Sequence, residues 1–427
     1  MAPGASIDTL LNNLFVEGSI TAIRVEPFDR PAQPRTSMPN SLHSVAEPVF
    51  DALGVRPVIN CCGIYTDLGG SVLSPSVWAA ITEMNRYYVR MTDLLDSTGR
   101  MIADMTGAEA ARVTPGASAA IALAVAATMT GDKGEHWEQL PSTEGLKHQV
   151  IIAANHLHNY KYAVCARMPG ATLVPVGSIS QYNAADLINA ISPSTACLLV
   201  PAHLLDGYDG VSQLSELVKA ADARSVPVVV DAAYMSYPIE LIRKYAQCGA
   251  ALTCFSAKYF YGPNSGGFVT GKRALIRAVE GLDFTRFESG RYRSFGRPFK
   301  MSRYDIAATT LALRDWIGLD HGKRWAGYAA KVDVIAQAAR GIAGVRAEKR
   351  YFTMSEQLLD SDQVNCVVLR FDPLSRHCAA TVAAAIEKGS PSILGIVEKD
   401  FLILAVDALL DGHEQVVAER LRAEIER

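Results

Sequence analysis

Between residues 75 and 315 the chain alternates short apolar runs with helical patterns. Gln149–Ala153, Thr172–Val176, Cys197–Pro201, Pro227–Val230 and Leu252–Phe255 are mostly apolar at both odd and even positions, so they predict strands covered on both faces. The segments between them, Ala119–Thr130, Asn159–Ala166, Ala184–Ala190, Val211–Ala223 and Ile239–Gln247, have helical spacing. Strand, helix, strand at this interval predicts an α/β fold with a mostly parallel, doubly wound sheet. The Ala-rich segment at 119 is too small-sided for a surface helix and is expected to pack tightly inside the large domain. After Arg314 the texture changes. A long helix is predicted over Leu319–Arg340, strands over Val364–Phe371 and Phe401–Val406, and helices over Ala379–Lys388 and Glu414–Ile425. That is α+β texture, suited to a smaller C-terminal domain.

Residues 1–48 stand apart, with six of the twenty prolines. Ile7, Leu10, Leu11, Leu14 and Phe15 predict one short amphipathic helix, and the rest reads as an extended arm, disordered or wrapped on a neighbouring subunit. The expected organisation is therefore an arm (1–48), a large domain (49–315) and a small domain (316–427). Segment 49–74 is expected to pack on the small domain or on a neighbour.

Composition narrows the function classes. The 427 residues are 49% hydrophobic and 20% charged, and 41 Lys+Arg against 44 Asp+Glu leave a formal charge of -3. No broad basic face for nucleic acid is expected from that balance. The longest apolar stretch, Ala119 to Met129, is far short of the ~20 residues of a membrane span. The N-terminus has no basic n-region and carries Asp8, so no secretory signal is expected. Eight cysteines form no CxxC pair, and several lie in strand-like runs, as reduced buried thiols do. A cytoplasmic protein is expected.

Three familiar motifs fail. Gly266 to Lys272 fits GxxxxGK, but Arg273 replaces the Ser/Thr that would hold Mg²⁺, and Phe268-Val269-Thr270 reads as strand rather than loop. GxGxxG, GxSxG and HExxH are absent. His156 and His158 would lie on one face of a strand, but no acidic or cysteine ligand follows at useful spacing, so no metal site is expected.

The informative residues are Asp231, Ser256, Lys258 and the run Gly116-Ala117-Ser118. Asp231 ends a buried strand, where open α/β sheets bind ligands; alone it also reads as a helix cap. Lys258 follows the next strand amid apolar neighbours, a snorkelling lysine unless it is buried beside a cationic ring, where its pKa falls and it can form a Schiff base. Gly116, Ala117 and Ser118 open the Ala-rich helix and expose backbone N–H groups, either a simple cap or a phosphate cradle. Each is weak alone, but their order matches what pyridoxal 5'-phosphate (PLP) needs: a lysine for the aldehyde, an acid for the ring nitrogen and a helix start for the phosphate.

At these residues the chain resembles the fold-type I PLP enzymes, in the branch of selenocysteine synthase and D-glucosaminate-6-phosphate ammonia-lyase. Val58-Ile-Asn-Cys-Cys-Gly-Ile-Tyr-Thr-Asp-Leu-Gly-Gly70 is similar to that branch's "INATGT…LGG" opening. Leu94–Gly131 is similar to its phosphate segment, and Gly296-Arg-Pro-Phe-Lys-Met-Ser-Arg303 to its "GR-x-x-K-x-x-[KR]" stretch. The resemblance implies an aspartate aminotransferase-like fold, with Lys258 as the Schiff-base lysine and Asp231 as the ring-nitrogen partner. It implies Gly116, Ala117, Ser118 and Ser256 on the phosphate, His156 against the ring, and His203 on the cofactor side. Lys300 and Arg303 become candidate anchors for a substrate carboxylate, or for the phosphate across a homodimer interface. Tyr65 and Thr66 are candidate substrate contacts serving a neighbour's cofactor. Two departures stand out: Pro391-Ser-Ile-Leu-Gly-Ile396 lacks the arginine expected there, and Ala405-Val-Asp-Ala-Leu replaces "DPRTL"-like text. The arm carries only Arg24, Arg30 and Arg35, which disfavours docking of a charged tRNA.

The implied reaction acts at Cα and Cβ of a small amino acid through a quinonoid. α,β-Elimination ranks first, racemisation or epimerisation second (with His156 or Tyr65 as second acid) and transamination third. A PLP-fold binding protein without catalysis is the rival outside enzymes, and the intact Lys258 and Asp231 argue against it.

Overall fold

The computed structural model describes residues 47–205, 210–290, 292–373 and 375–427. The arm up to residue 46, with the helix expected around Ile7 to Phe15, lies outside the described residues. Leu53–Arg427 forms one compact unit; of the unit before it, only residues 47–52, in the helix Glu47–Leu53, are described. Among the described residues no helix is long and apolar enough to cross a membrane.

The strands follow in chain order. β1 (Val58–Asn60) precedes the large sheet, made of β2 (Ala110–Thr114), β3 (Gln149–Ala153), β4 (Thr172–Val176), β5 (Thr195–Pro201), β6 (Val228–Asp231), β7 (Leu252–Ser256) and β8 (Gly267–Gly271). Then come β9 (Val345–Phe352), β10 (Leu358–Leu359), β11 (Cys366–Phe371), β12 (Ser392–Leu394), β13 (Ile396–Glu398) and β14 (Phe401–Ala405). The large sheet has the order β2-β8-β7-β6-β5-β3-β4. β3 to β7 pair in parallel, and β8 alone runs against its neighbours β2 and β7. The reason is local. Only residues 257–266 separate β7 from β8, fewer than the dozen or more that a parallel crossover requires.

Alternation along the strands divides the core into two layers. Leu198 and Val200 of β5, Val228 and Val230 of β6 and Phe255 of β7 enter one apolar cluster. Cys197, Leu199, Val229, Leu252 and Cys254 enter the other. Both faces are thus covered, as the continuous apolar runs predict. The helix Gly116–Thr130 lies in the second layer with eleven of its fifteen residues buried. Alanine side chains let its backbone approach the sheet closely.

The sheet of the C-terminal part has the order β10-β9-β11-β14-β13, every pair antiparallel. Helices His321–Ala338, Ala379–Lys388 and His413–Glu426 pack on it. β1 pairs in parallel with β12, and Ile59 and Cys61 enter the same core. The segment before the large sheet therefore packs on the C-terminal elements of its own chain.

Two expectations need correction. The helix expected over Asn159–Ala166 is two short helices, Ala154–Asn159 and Ala163–Arg167, broken at Tyr160 to Tyr162. Tyr160 turns inward to a buried carboxylate, a tertiary bond that helical periodicity cannot foresee. As a consequence His156 and His158 stand on a helix, not on a strand; His156 is buried and His158 is exposed.

Candidate active site

The sheet brings the candidate residues to one edge. Asp231 ends β6 and Ser256 ends β7; His156 follows β3 and His203 follows β5. Gly116 follows β2, whose last residue Thr114 pairs with Gly267 at the start of β8. The sequence order reverses across β3 and β5, and ligands of open α/β sheets bind at such switch points.

Lys258 sits in a short 3-10 turn, Ala257–Phe260, and is 8% exposed. Its Nζ donates to Thr66 Oγ1 at 2.8 Å and to the Ile64 carbonyl at 3.3 Å, and lies 4.9 Å from the centre of the Tyr259 ring. Burial lowers the lysine pKa, and the nearby Lys161 adds to this against the opposing pull of Asp67. The result is an amine that gives up its proton more readily than a surface lysine. Thr66 therefore meets the Lys258 of its own chain rather than only a neighbour's. Tyr65 donates to Glu356 Oε1 at 2.8 Å, and Asn264 Nδ2 donates to the Thr66 carbonyl at 3.2 Å, so this loop is tied down on both sides.

Asp231 is buried and accepts two hydrogen bonds, from Tyr160 Oη at 2.5 Å and from the Ala233 N–H at 3.0 Å. Burial raises its pKa, while these two donors pull it back down. Both of these donors are neutral, so a cationic donor would complete the pairing of this carboxylate. His203 is shifted down to about 4, chiefly by burial, with His156 contributing, and its ring packs against Tyr160 and Tyr234. His156 stacks on Tyr182 with ring centres 5.0 Å apart.

Gly116 opens its helix at φ +82, in the left-handed region that favours glycine. A Cβ on Gly267 would come within 2.5 Å of the Gly116 carbonyl carbon and 2.7 Å of the Phe255 carbonyl oxygen. Only a glycine lets β8 pass this close behind the helix start. Ala117 is half-buried and Ser118 exposed, at the first turn. The donor set thus fits PLP: an amine of lowered pKa, a buried carboxylate one strand away, and a glycine-opened helix start on the same edge.

Lys300 and Arg303 are placed apart from this constellation within the chain. Arg303 donates to the Met84 carbonyl at 2.9 Å and to Asn85, and lies over the Tyr88 ring. With Arg297 and the exposed Lys300 it lines a cleft of about 560 Å³. The Arg303 guanidinium is thereby held at the C-terminal end of the helix Pro75–Met84. Tyr160 was not singled out by sequence. A tyrosine after a histidine-rich turn has no spacing that marks it, and only the fold brings it to Asp231.

Lysine, carboxylate and glycine-opened helix on one edge of a doubly wound sheet define a PLP-dependent enzyme of fold type I. Residues 58–288 match the family described as SelA: L-seryl-tRNA selenium transferase, and the chain belongs to that family. It is 29% identical over 303 residues to D-glucosaminate-6-phosphate ammonia lyase of Salmonella typhimurium, covering 70% of this chain and 77% of the relative. It is 28% identical over 381 residues to the 5'-C-glycyluridine monooxygenase-decarboxylase of a Streptomyces species, covering 86% and 90%. The solved structure of a D-glucosaminate-6-phosphate ammonia-lyase superposes with a TM-score of 0.76 at 25% identity, covering 90% of this chain and 99% of that one. PLP is the cofactor, and the reading of the chain as a lyase agrees with the ammonia-lyase relatives.

Proposed function

We propose that this protein is a PLP-dependent lyase that eliminates a β-substituent from a small free amino acid, with Lys258 carrying the cofactor and Asp231 holding its ring nitrogen. The observation that carries this reading is the buried Lys258 amine, fixed by Thr66 on the same sheet edge as Asp231. Bound PLP supplies an electron-withdrawing ring that makes a Cα proton acidic. The chain supplies the rest. Burial lowers the Lys258 pKa, which favours the neutral amine that can take up a proton at Nζ, and Thr66 Oγ1 holds that nitrogen in place. The Asp231 carboxylate would hold the ring nitrogen of the bound cofactor. Gly116, Ala117, Ser118 and Ser256 would hold the phosphate, and His156 after β3 and His203 after β5 would contact the ring. Tyr65 stands beside Thr66 at the substrate side.

A free amino acid is preferred over a tRNA-borne one because the chain carries a net charge of -3 and no arginine-rich arm. The division into a large and a small domain near residue 315 belongs to this reading: Arg303–Ile317 packs with the large-sheet elements and His321–Ala338 with the C-terminal sheet. A panel of D- and L-amino acids in heavy water tests the reaction. Ammonia and a keto acid without any acceptor are expected. Cα deuteration with inverted configuration and no ammonia would replace elimination with racemisation, and acceptor-dependent formation of pyridoxamine phosphate would replace it with transamination.

The protein is further assigned as a cytoplasmic homodimer. All eight cysteines are unpaired, as in a reducing compartment. Large apolar side chains stand exposed on adjoining segments, Trp78 at 53%, Tyr87 at 69% and Tyr88 at 94%, as an interface requires. Sedimentation velocity of the full chain is expected to give a dimer; a fully active monomer would remove this assignment.

A further inference from the structure

Asp231 shares its charge with a second group. The Tyr160 phenol donates to Oδ2 at 2.5 Å, and both side chains are buried, each 3% exposed. Tyr160 reaches it from the break between Ala154–Asn159 and Ala163–Arg167, beyond β3, while Asp231 ends β6. The Tyr160 ring packs beside His203 and Tyr162, each with its ring centre 6.0 Å away. The remaining carboxylate oxygen is fixed by the Ala233 N–H. This is a short, charge-assisted bond whose geometry is set by packing on three elements.

We propose that Tyr160 is a positioning residue that sets how much of the Asp231 charge is left for the cofactor's ring nitrogen. The inference rests on the reading of Asp231 as the ring-nitrogen partner. A proton shared between a carboxylate and a pyridine nitrogen lies toward the more basic of the two. A phenol donating to the carboxylate lowers its basicity and leaves the proton on the ring, where it strengthens the ring's pull on electrons. Without that donor the proton moves toward Asp231, and the ring loses positive charge.

The other groups facing Asp231 do not substitute for the phenol. Cys254 on β7, Cys165 on the Ala163–Arg167 helix, Tyr234 after β6 and Tyr259 after β7 all have pKa values raised, chiefly by burial, and stay neutral near pH 7. His203 is neutral there as well. Among these groups, Tyr160 is the one that donates a hydrogen bond to the Asp231 side chain.

The test uses holoenzyme reconstituted with PLP labelled with ¹⁵N in the ring, comparing wild type, Tyr160→Phe, Asp231→Asn and protein carrying 3-fluoro- or 3,5-difluorotyrosine at position 160. Tyr160→Phe is expected to move the ring-nitrogen shift toward that of an unprotonated pyridine. The fluorinated phenols, stronger donors of the same shape, are expected to move it the other way in order of their acidity. If Tyr160→Phe does not fold, the fluorotyrosine series carries the test. A shift that responds to Asp231→Asn but not to any change at 160 would overturn the inference and leave Tyr160 as packing. A shift indifferent to Asp231→Asn as well would overturn the Asp231 reading on which it stands.

Discussion

Replacing Lys258 with alanine is expected to abolish turnover, by about 10³- to 10⁴-fold or more, since the proton-transfer step and the attachment of the cofactor are lost together. The same variant should lose the near-ultraviolet to blue absorption of the lysine-bound cofactor while keeping its far-ultraviolet circular dichroism. The fold has no need of this amine: it sits in a 3-10 turn at the sheet edge, and its hydrogen bonds go to Thr66 and Ile64 rather than to core elements. Removing a buried amine of lowered pKa also relieves a desolvation cost. Absorption titration with PLP and steady-state assays are sufficient. Persistence of the band in Lys258→Ala, or its absence from reconstituted wild type, would remove the assignment of Lys258.

Asp231→Ala is expected to lower turnover by about 10²- to 10³-fold, the usual loss when one preorganised electrostatic partner is deleted. PLP should stay bound, because Lys258 and the helix start at Gly116 are untouched. Full activity in this variant would show that another group partners the ring nitrogen. The carboxylate also leaves a pH signature in the protein without cofactor. Its folded pKa is raised by burial, so the folded state binds this proton more tightly than the unfolded state does. The stability it contributes is present below the ordinary aspartate range and is lost as pH rises through the raised value. Asp231→Asn keeps an acceptor for Tyr160 and carries no titration, so denaturant unfolding of the apo forms should show wild type losing ground to the variant as pH increases. Parallel curves would indicate that Asp231 does not titrate between the two states.

β3 and β4 coincide with their predicted bounds, Gln149–Ala153 and Thr172–Val176, and the helix Ala379–Lys388 coincides too. Each is bounded by a clear change of hydrophobic period or by glycine. The strand expected over Pro227–Val230 extends instead over Val228–Asp231, because the Asp231 backbone still pairs with Cys254 although its side chain breaks the apolar run. The Asn159–Ala166 helix failed because its apolar spacing competes with a buried phenol–carboxylate bond across the sheet.

By itself the sequence determined the class of fold and the apolar runs at whose ends Asp231 and Lys258 stand. Continuous apolar runs have no stable place except between two helical layers, and a carboxylate or lysine at the end of such a run must emerge at the sheet edge. Only the tertiary structure decided which partners these residues have. Thr66 lies 192 positions from Lys258 and Tyr160 lies 71 from Asp231, and both meet their partners through strand order, not local spacing. The same is true of Arg303, whose guanidinium meets Met84 and Asn85, 219 and 218 positions away. Periodicity reports which face a residue takes, whereas the pairing of distant strand ends depends on the order in which the whole sheet closes.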